Sequence, residues 1–343
     1  FDIIILGEGE EVNLEIMDLY HEFKRKGAKR SEFLRAVSQI KGAYVPSLYD
    51  VEYNADNTVK AVVPKGNAPA VVTKRYIKDM DSVYYPENFV VPFTDIVHNR
   101  VSVEVLRGCI RGCRFCQAGF IYRPFREKST SNICKQSKAL CENTGYDELS
   151  LCSLSTSDHS DINNMLSNLI DYTEGEHINR ALPSLRIDNF SEELLEKVKK
   201  VRKSGLTFAP EAGTQRLRDV INKNVTEEEI MNTCRIAFEG GYSTVKLYFM
   251  MGLPTETDED IVGIAELAQR IVDMYYTIEN RPKGRGVQVS ISTATFVPKP
   301  FTPFQFEAQD TKEEIERKQK LLIDSIKTKK IKVSWHNSDV SLL

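Results

Sequence analysis

Between Val101 and Phe296 the sequence alternates six short apolar runs with longer amphipathic stretches, and few folds accept that alternation. The runs are VSVEVL at Val101 to Leu106, ELSLCSL at Glu148 to Leu154, ALPSLRI at Ala181 to Ile187, GLTFAP at Gly205 to Pro210, TVKLYFM at Thr244 to Met250, and VQVSISTATF at Val287 to Phe296. Helical patterns fill the gaps. SEELLEKVKKVRKSG places Ser191 as N-cap, acidic residues in the first turn, basic ones in the last and Gly205 as the stop. TEEEIMNTCRIAFEGG repeats the logic with Thr226, Glu229 and a closing glycine pair. Strands separated by helices need crossover connections and so make a parallel sheet. The unusual residues all lie past the C-terminal ends of their strands, in a cysteine loop, SLSTSDH, PEAGTQR, MGLPTET and VPKPFTPF. In a barrel such loops share one mouth, whereas an open sheet strings them along an edge. The reading is an α/β fold with a partial barrel of six strand-helix units over residues 100–310, followed by a helix and strand over 311–343.

Upstream the pattern changes. LYDVEYNADNTVKAVVP is two alternating runs around Asn54 to Asn57, a hairpin signal, and Pro-containing extended segments follow, so residues 31–99 read as a β-rich connector. Residues 1–30 read as a strand, a turn and an amphipathic helix, the last unit of a truncated Rossmann-like domain. Gly7-Glu8-Gly9 lacks the third glycine of a dinucleotide fingerprint and serves equally as a tight turn. Because the chain opens at Phe1 in an apolar run, it reads as a piece of a longer protein.

Cys109, Cys113 and Cys116 form a C-x3-C-x2-C triplet directly after the first apolar run. A structural zinc site takes four protein ligands and a cubane iron-sulfur cluster usually four cysteines, so three thiolates leave one position open. His98 and His159 are the nearest imidazoles, without zinc-ribbon spacing, and Cys134, Cys141, Cys152 and Cys234 are scattered and read as small buried hydrophobes. An odd total of seven cysteines argues for a reducing cytoplasm rather than a secreted disulfide framework. A net charge of -3 and 41% hydrophobic residues show no global bias toward nucleic acid or membrane, and no apolar run is long enough to span a bilayer.

The triplet, with Phe115 before its third cysteine and with the loops that follow, resembles the radical S-adenosylmethionine enzymes over roughly Val101 to Phe306. The resemblance implies a 4Fe-4S cluster on Cys109, Cys113 and Cys116, with Gly108 and Gly112 relieving the backbone near the metal. It implies S-adenosylmethionine on the open iron and a one-electron donor such as flavodoxin or ferredoxin. Carried over residue by residue, it points to Ser153 and Ser155 for the amino group, where many members have glycines; the other reading of that loop is a helix start capped by Ser157 or Asp158. Glu211 in PEAGTQR is a further cofactor contact, or a structural carboxylate paired with Arg216 or Arg218. Arg186 faces ribose or carboxylate, or makes a surface salt bridge. Met251, Gly252, Leu253 and Pro254 form the turn beside the adenosyl group, with Thr257 and Asp260 capping the next helix. Val297 lies beside adenine in a segment that serves equally as a rigid barrel closure.

Six basic residues between Glu104 and Lys128 surround the cysteine loop, as a docking face for an acidic donor or RNA, or as a solvated rim. GEGEE, a connector and then the barrel resemble the subgroup in which a cobalamin-binding domain precedes the radical domain, in fused proteins whose radical segment ends in a sequence like KVSWH. That resemblance implies cobalamin in the full-length protein and methyl transfer to an unactivated carbon. The alternatives are a methylthiotransferase acting on tRNA or a ribosomal protein, and a non-catalytic iron-sulfur scaffold or RNA-binding protein. The sequence names no substrate; RNA and protein both stay open.

Overall fold

In the computed structural model, which describes residues 1–94, 96–181, 206–279, 281, 284 and 286–342, the chain divides into two compact units, Phe1–Tyr85 and Pro86–Leu343.

In the first unit, β1 (Ile4–Ile5), α1 (Glu10–Arg25), α2 (Arg30–Val37) and β2 (Ala43–Tyr44) enclose a small core of Leu34, Val37, Ala43 and Val45, against which Ile5, Ile16 and Leu19 pack. β1 and β2 pair antiparallel. Gly7 sits at φ +114°, and a Cβ there would lie 1.9 Å from the Arg75 carbonyl oxygen. Its missing side chain thus admits a neighbouring backbone, which the Glu8 N–H to Arg75 bond of 3.1 Å and the Arg75 N–H to Leu6 bond of 2.9 Å hold in place. Gly7 forms an isolated parallel bridge with Arg75. The expected hairpin forms from β3 (Tyr49–Tyr53) and β4 (Val59–Pro64), with Asn57 left-handed at φ +65° in its loop.

The second unit carries the alternation. β5 (Val101–Glu104) is followed by an antiparallel ribbon of β6 (Leu106–Arg107) and β7 (Arg126–Glu127), with the cysteine loop and α3 (Ala118–Ile121) between them. Then come α4 (Thr130–Thr144), β8 (Glu148–Cys152), α5 (Ile162–Gly175) and β9 (Asn179–Ala181), and β5, β8 and β9 pair in parallel. The rest of the third predicted run and the helix at Ser191 fall in 182–205, outside the described residues. β10 (Leu206–Glu211), α6 (Gln215–Val220), α7 (Glu227–Glu239), β11 (Thr244–Met251), α8 (Asp258–Thr277), β12 (Gln288–Thr295), α9 (Lys312–Ser325), β13 (Ile331–Trp335) and α10 (Ser338–Leu342) complete the chain. β10 to β13 form a second parallel sheet in chain order. These open parallel sheets with helical crossovers are the partial barrel the alternation predicts, and β13 adds a further strand to it.

Side-chain alternation fixes the register. Val245, Leu247, Phe249 and Met251 are buried on one face of β11, and Val289 and Ile291 beside them on β12. α8 covers this sheet with Ile261, Ile264, Leu267, Ala268 and Ile271, all buried. Its start is capped as predicted, because the Asp260 carboxylate accepts from the Thr257 N–H at 2.8 Å and from its hydroxyl at 3.1 Å. Thr226 and Glu229 make the same reciprocal cap on α7.

α8 also meets the loop after β10 backbone to backbone. A Cβ on Gly213 would lie 2.3 Å from the Ile264 nitrogen and 2.6 Å from the Asp260 carbonyl oxygen. Neither neighbour is a flexible side chain that could swing aside. Gly213→Ala is therefore expected to destabilise the protein by about 1–3 kcal/mol, read as a lower urea midpoint at unchanged slope.

Candidate functional site

The cysteine loop starts from a glycine with no alternative. Gly108 has φ +83°, and a Cβ there would sit 2.9 Å from both the Tyr122 and Pro124 carbonyl oxygens. Gly112 is tight for another reason: a Cβ there would meet Asn222 Nδ2 at 3.0 Å, and that amide donates to the Gly112 carbonyl at 2.8 Å. Both glycines thus make room for protein at either end of the first half of the loop.

Cys113 is buried at 8% exposure, and Cys109 and Cys116 are half-buried. The Arg111 N–H approaches the Cys109 Sγ at 3.4 Å, and the Cys116 N–H donates to the Cys113 carbonyl at 3.1 Å. Among the described residues no three His, Cys, Asp or Glu side chains converge on a point that could hold a single ion. A cubane asks for something else, since each cysteine binds a different iron, and a triplet spread along a loop suits it. The remaining cysteines are poor substitutes: burial pushes the Cys141 thiol up to about 11 and the Cys234 thiol up to about 12. Cys152, expected to be buried, is exposed at the end of β8, because β8 presents Leu149 and Leu151 to the core and its last residue lies past the covered part. His159 is no ligand either. Its Nδ1 accepts from the Asp161 N–H at 3.1 Å, and its Nε2 donates to the Lys128 carbonyl at 2.9 Å.

The loops predicted to share one mouth do meet the cysteine loop. Ala212 and Leu217 after β10, Leu253 after β11, and Phe296 and Phe304 after β12 form one buried apolar cluster, and Phe115 packs against it. Backbone bonds reinforce the convergence. The Arg114 N–H donates to Ile221 at 2.9 Å, its Nη1 donates to Val220 at 2.5 Å, and its carbonyl accepts from the Phe304 N–H at 3.3 Å. Gln117 Nε2 reaches the Pro300 carbonyl at 3.2 Å. The loop after β8 is tied by charge, with the Arg111 guanidinium on the Asp158 carboxylate at 2.5 and 3.3 Å.

That ion pair corrects the helix-cap reading of the loop. α5 begins at Ile162 with Asp161 as its cap, so neither Ser157 nor Asp158 caps it. Ser153 shares a hydrogen bond with Thr156 at 2.7 Å. Ser155 is buried at 2% exposure and its Oγ has no hydrogen-bond partner among the described residues, an unusual state for a hydroxyl.

Glu211 ends β10 in the left-handed region at φ +69°, where the register with β11 slips between Phe208 and Glu211. Its partner is Lys223, 3.0 Å away, and not either of the expected arginines. Arg216 turns to Asp260 and the Thr255 carbonyl, while Arg218 is fully buried on the Ala212 and Val225 carbonyls at 3.0 and 3.1 Å. Burial draws the Arg218 guanidinium below its ordinary pKa. Lys223 reaches Glu211 from between two left-handed asparagines, Asn222 at φ +53° and Asn224 at φ +52°. The Asn-Lys-Asn run is the one sequence signal that could have found it.

Met251 is buried, and Gly252 is left-handed at φ +80° with its N–H on Glu256 Oε1 at 2.8 Å. Lys318 bridges that carboxylate at 2.8 Å to Asp310 at 2.6 Å. Val297 is 37% exposed, one residue beyond the Phe296 N–H that donates to the Met251 carbonyl at 2.8 Å. Arg186 lies outside the described residues. The basic surround of the loop is largely consumed: Arg107 holds Glu104, Arg111 holds Asp158, and Arg126 and Lys128 are buried. Most of these charges serve internal partners, and Arg114 and Arg123 are the two that stay exposed.

Residues 103–268 match the model of the Radical SAM superfamily, and residues 1–46 that of the N-terminal region of radical SAM proteins. The chain belongs to the radical S-adenosylmethionine superfamily, whose enzymes use a 4Fe-4S cluster and S-adenosylmethionine. An uncharacterized protein of Methanocaldococcus jannaschii is 29% identical over 302 residues, 88% of this chain and 63% of that protein. A putative methylthiotransferase of the same organism is 25% identical over 168 residues, 47% of this chain and 37% of its own length. Among solved structures, the radical S-adenosylmethionine methyltransferase TsrM from Kitasatospora setae, with cobalamin and a 4Fe-4S cluster bound, has a similar fold at a TM-score of 0.60. It is 13% identical, and the match covers 89% of this chain and 55% of TsrM. The chain thus spans less than two thirds of the length of these proteins. No described helix is long and apolar enough to cross a membrane.

Proposed function

We propose that this chain holds a 4Fe-4S cluster on Cys109, Cys113 and Cys116 and cleaves S-adenosylmethionine reductively at the open iron. The observation that carries the reading is the apolar cluster joining Phe115 to Ala212, Leu253, Phe296 and Phe304, since it gathers the loops after three different strands at the cysteine triplet. When bound, the cluster and S-adenosylmethionine supply one-electron cleavage of the sulfonium bond, giving methionine and a 5′-deoxyadenosyl radical that takes a hydrogen atom from substrate.

The chain's own residues bind, orient and shield. The Arg111 N–H supports the Cys109 sulfur. Ser155 offers its unpartnered hydroxyl to the amino group of S-adenosylmethionine, with Ser153 beside it. A buried hydroxyl without a partner is costly, and a hydrogen bond to a bound ligand would satisfy it. Glu211, held by Lys223, offers a carboxylate. Phe115 and Met251 keep water from the reacting carbon. The Gly252 turn borders the adenosyl group, Val297 lies beside adenine, and Arg186 reaches ribose or carboxylate.

The electron comes from a donor such as flavodoxin or ferredoxin in a reducing cytoplasm. The likeness in fold to TsrM supports a finer reading, cobalamin-assisted methyl transfer by the full-length protein, with residues 1–30 as the end of a cobalamin-binding-like domain. The relative named as a putative methylthiotransferase favours a second reading, methylthio transfer to RNA or protein. Cobalamin retained by the purified full-length protein separates the two. For the proposal itself, anaerobically reconstituted protein with dithionite is expected to convert S-adenosylmethionine to 5′-deoxyadenosine and methionine. A fully loaded cluster that yields no 5′-deoxyadenosine overturns it.

A further inference from the structure

We infer that Arg111 and Asp158 form a positioning pair that sets the loop after β8 against the cysteine loop and so presents Ser155 to S-adenosylmethionine. The inference rests on the function proposed above and deepens it. Arg111 lies between the first two cysteines and acts at both ends. Its N–H approaches Cys109 Sγ at 3.4 Å, and its guanidinium grips Asp158 with Nη2 to Oδ1 at 2.5 Å and Nε to Oδ2 at 3.3 Å. The Asp158 side chain is 1% exposed, so the pair stands in a low-dielectric setting where a two-point grip fixes orientation as well as distance.

Asp158 passes that constraint to Ser155. Its N–H donates to the Ser155 carbonyl at 3.1 Å, closing a single tight turn over Thr156–Asp158. The Ser155 hydroxyl stays buried and unpartnered. Three contacts therefore run from the Cys109 sulfur through Arg111 and Asp158 to the backbone carbonyl of Ser155, the residue that carries the unsatisfied hydroxyl, and the Arg111–Asp158 contact spans 47 residues of sequence. Arg111 and Asp158 act only through Cys109 and Ser155, so these two are positioning residues, comparable to the outer shell of a metal site.

The test uses Asp158→Asn, Ser155→Ala and the double variant, each reconstituted anaerobically. The readouts are iron and sulfide content, the electron paramagnetic resonance spectrum of the reduced cluster with and without S-adenosylmethionine, and the affinity for S-adenosylmethionine. Asp158→Asn is expected to load a full cluster but to bind S-adenosylmethionine about 10- to 100-fold more weakly, with a blunted spectral response. Because Asp158 acts through Ser155, the double variant is expected to be no worse than the weaker single one. Wild-type affinity in Asp158→Asn, or losses that simply add in the double variant, overturns the inference. If Asp158→Asn fails to load, Arg111→Lys decides by the same readouts, and failure of both to load means the pair only folds the loop, which also overturns it. A wild-type cluster that never responds to S-adenosylmethionine is a different failure, that of the proposed function.

Discussion

Replacing Cys113 by alanine is expected to abolish the cluster and, with it, all 5′-deoxyadenosine formation. Cys113 is the most buried of the triplet, and its carbonyl accepts the Cys116 N–H at 3.1 Å, which fixes the backbone between the last two cysteines. With one of three thiolates gone, two irons lack a protein ligand, and a cubane held by two cysteines is not retained. Iron content, visible absorption and product should fall to background together. Cys234→Ala is the control. Its thiol is fully buried, far from thiolate chemistry at neutral pH, and the variant should lose a little stability while keeping its iron. A Cys113→Ala protein that still carries a full cluster would contradict the ligand assignment.

The largest effect on stability is expected at Lys318. One ammonium there serves two carboxylates, Glu256 and Asp310, and it and Glu256 are almost fully removed from solvent. Burial works against the Lys318 charge, but the two carboxylates outweigh it and hold its pKa above the ordinary value. Burial pushes Glu256 up, against the pull of Lys318. Lys318→Met leaves two carboxylates without their cation and should cost about 3–5 kcal/mol at pH 7. The sign of the pH dependence follows. Glu256 holds its proton more tightly folded than unfolded, so its ionisation is a penalty that disappears as pH falls toward about 4. The deficit of the variant against wild type should therefore shrink on acidification. In the wild type, the contribution of Lys318 is complete below about pH 10.4 and is lost as pH rises through its raised folded value. Denaturant midpoints at several pH values check both limbs, and an acid-independent deficit would point to lost packing instead.

What was legible in the sequence was what depends on local period. β11 and β12 follow from alternation, the caps at Thr226 and Thr257 from their partners three residues on, and the hairpin around Asn57 from its turn residues. What was not legible depends on which side chains cross between loops. Glu211 pairs with Lys223 rather than the nearer-looking arginines, because two left-handed asparagines turn the chain after α6 back toward β10. Asp158 reads locally as a helix cap, yet its carboxylate is claimed by an arginine 47 residues away. The basic surround looked like one patch in sequence, but each cation answers to its own environment once the strands are placed. Spacing identified the cysteine triplet; only packing shows that the loops after β10, β11 and β12 close on it.

The measurement closest to the central claim is electron-nuclear double resonance on the reduced, fully loaded protein mixed with S-adenosylmethionine labelled in its amino nitrogen and carboxylate oxygen. The account predicts hyperfine coupling of both labels to the cluster, which requires them on the iron that Cys109, Cys113 and Cys116 leave open. A full cluster with bound S-adenosylmethionine and no such coupling would contradict it.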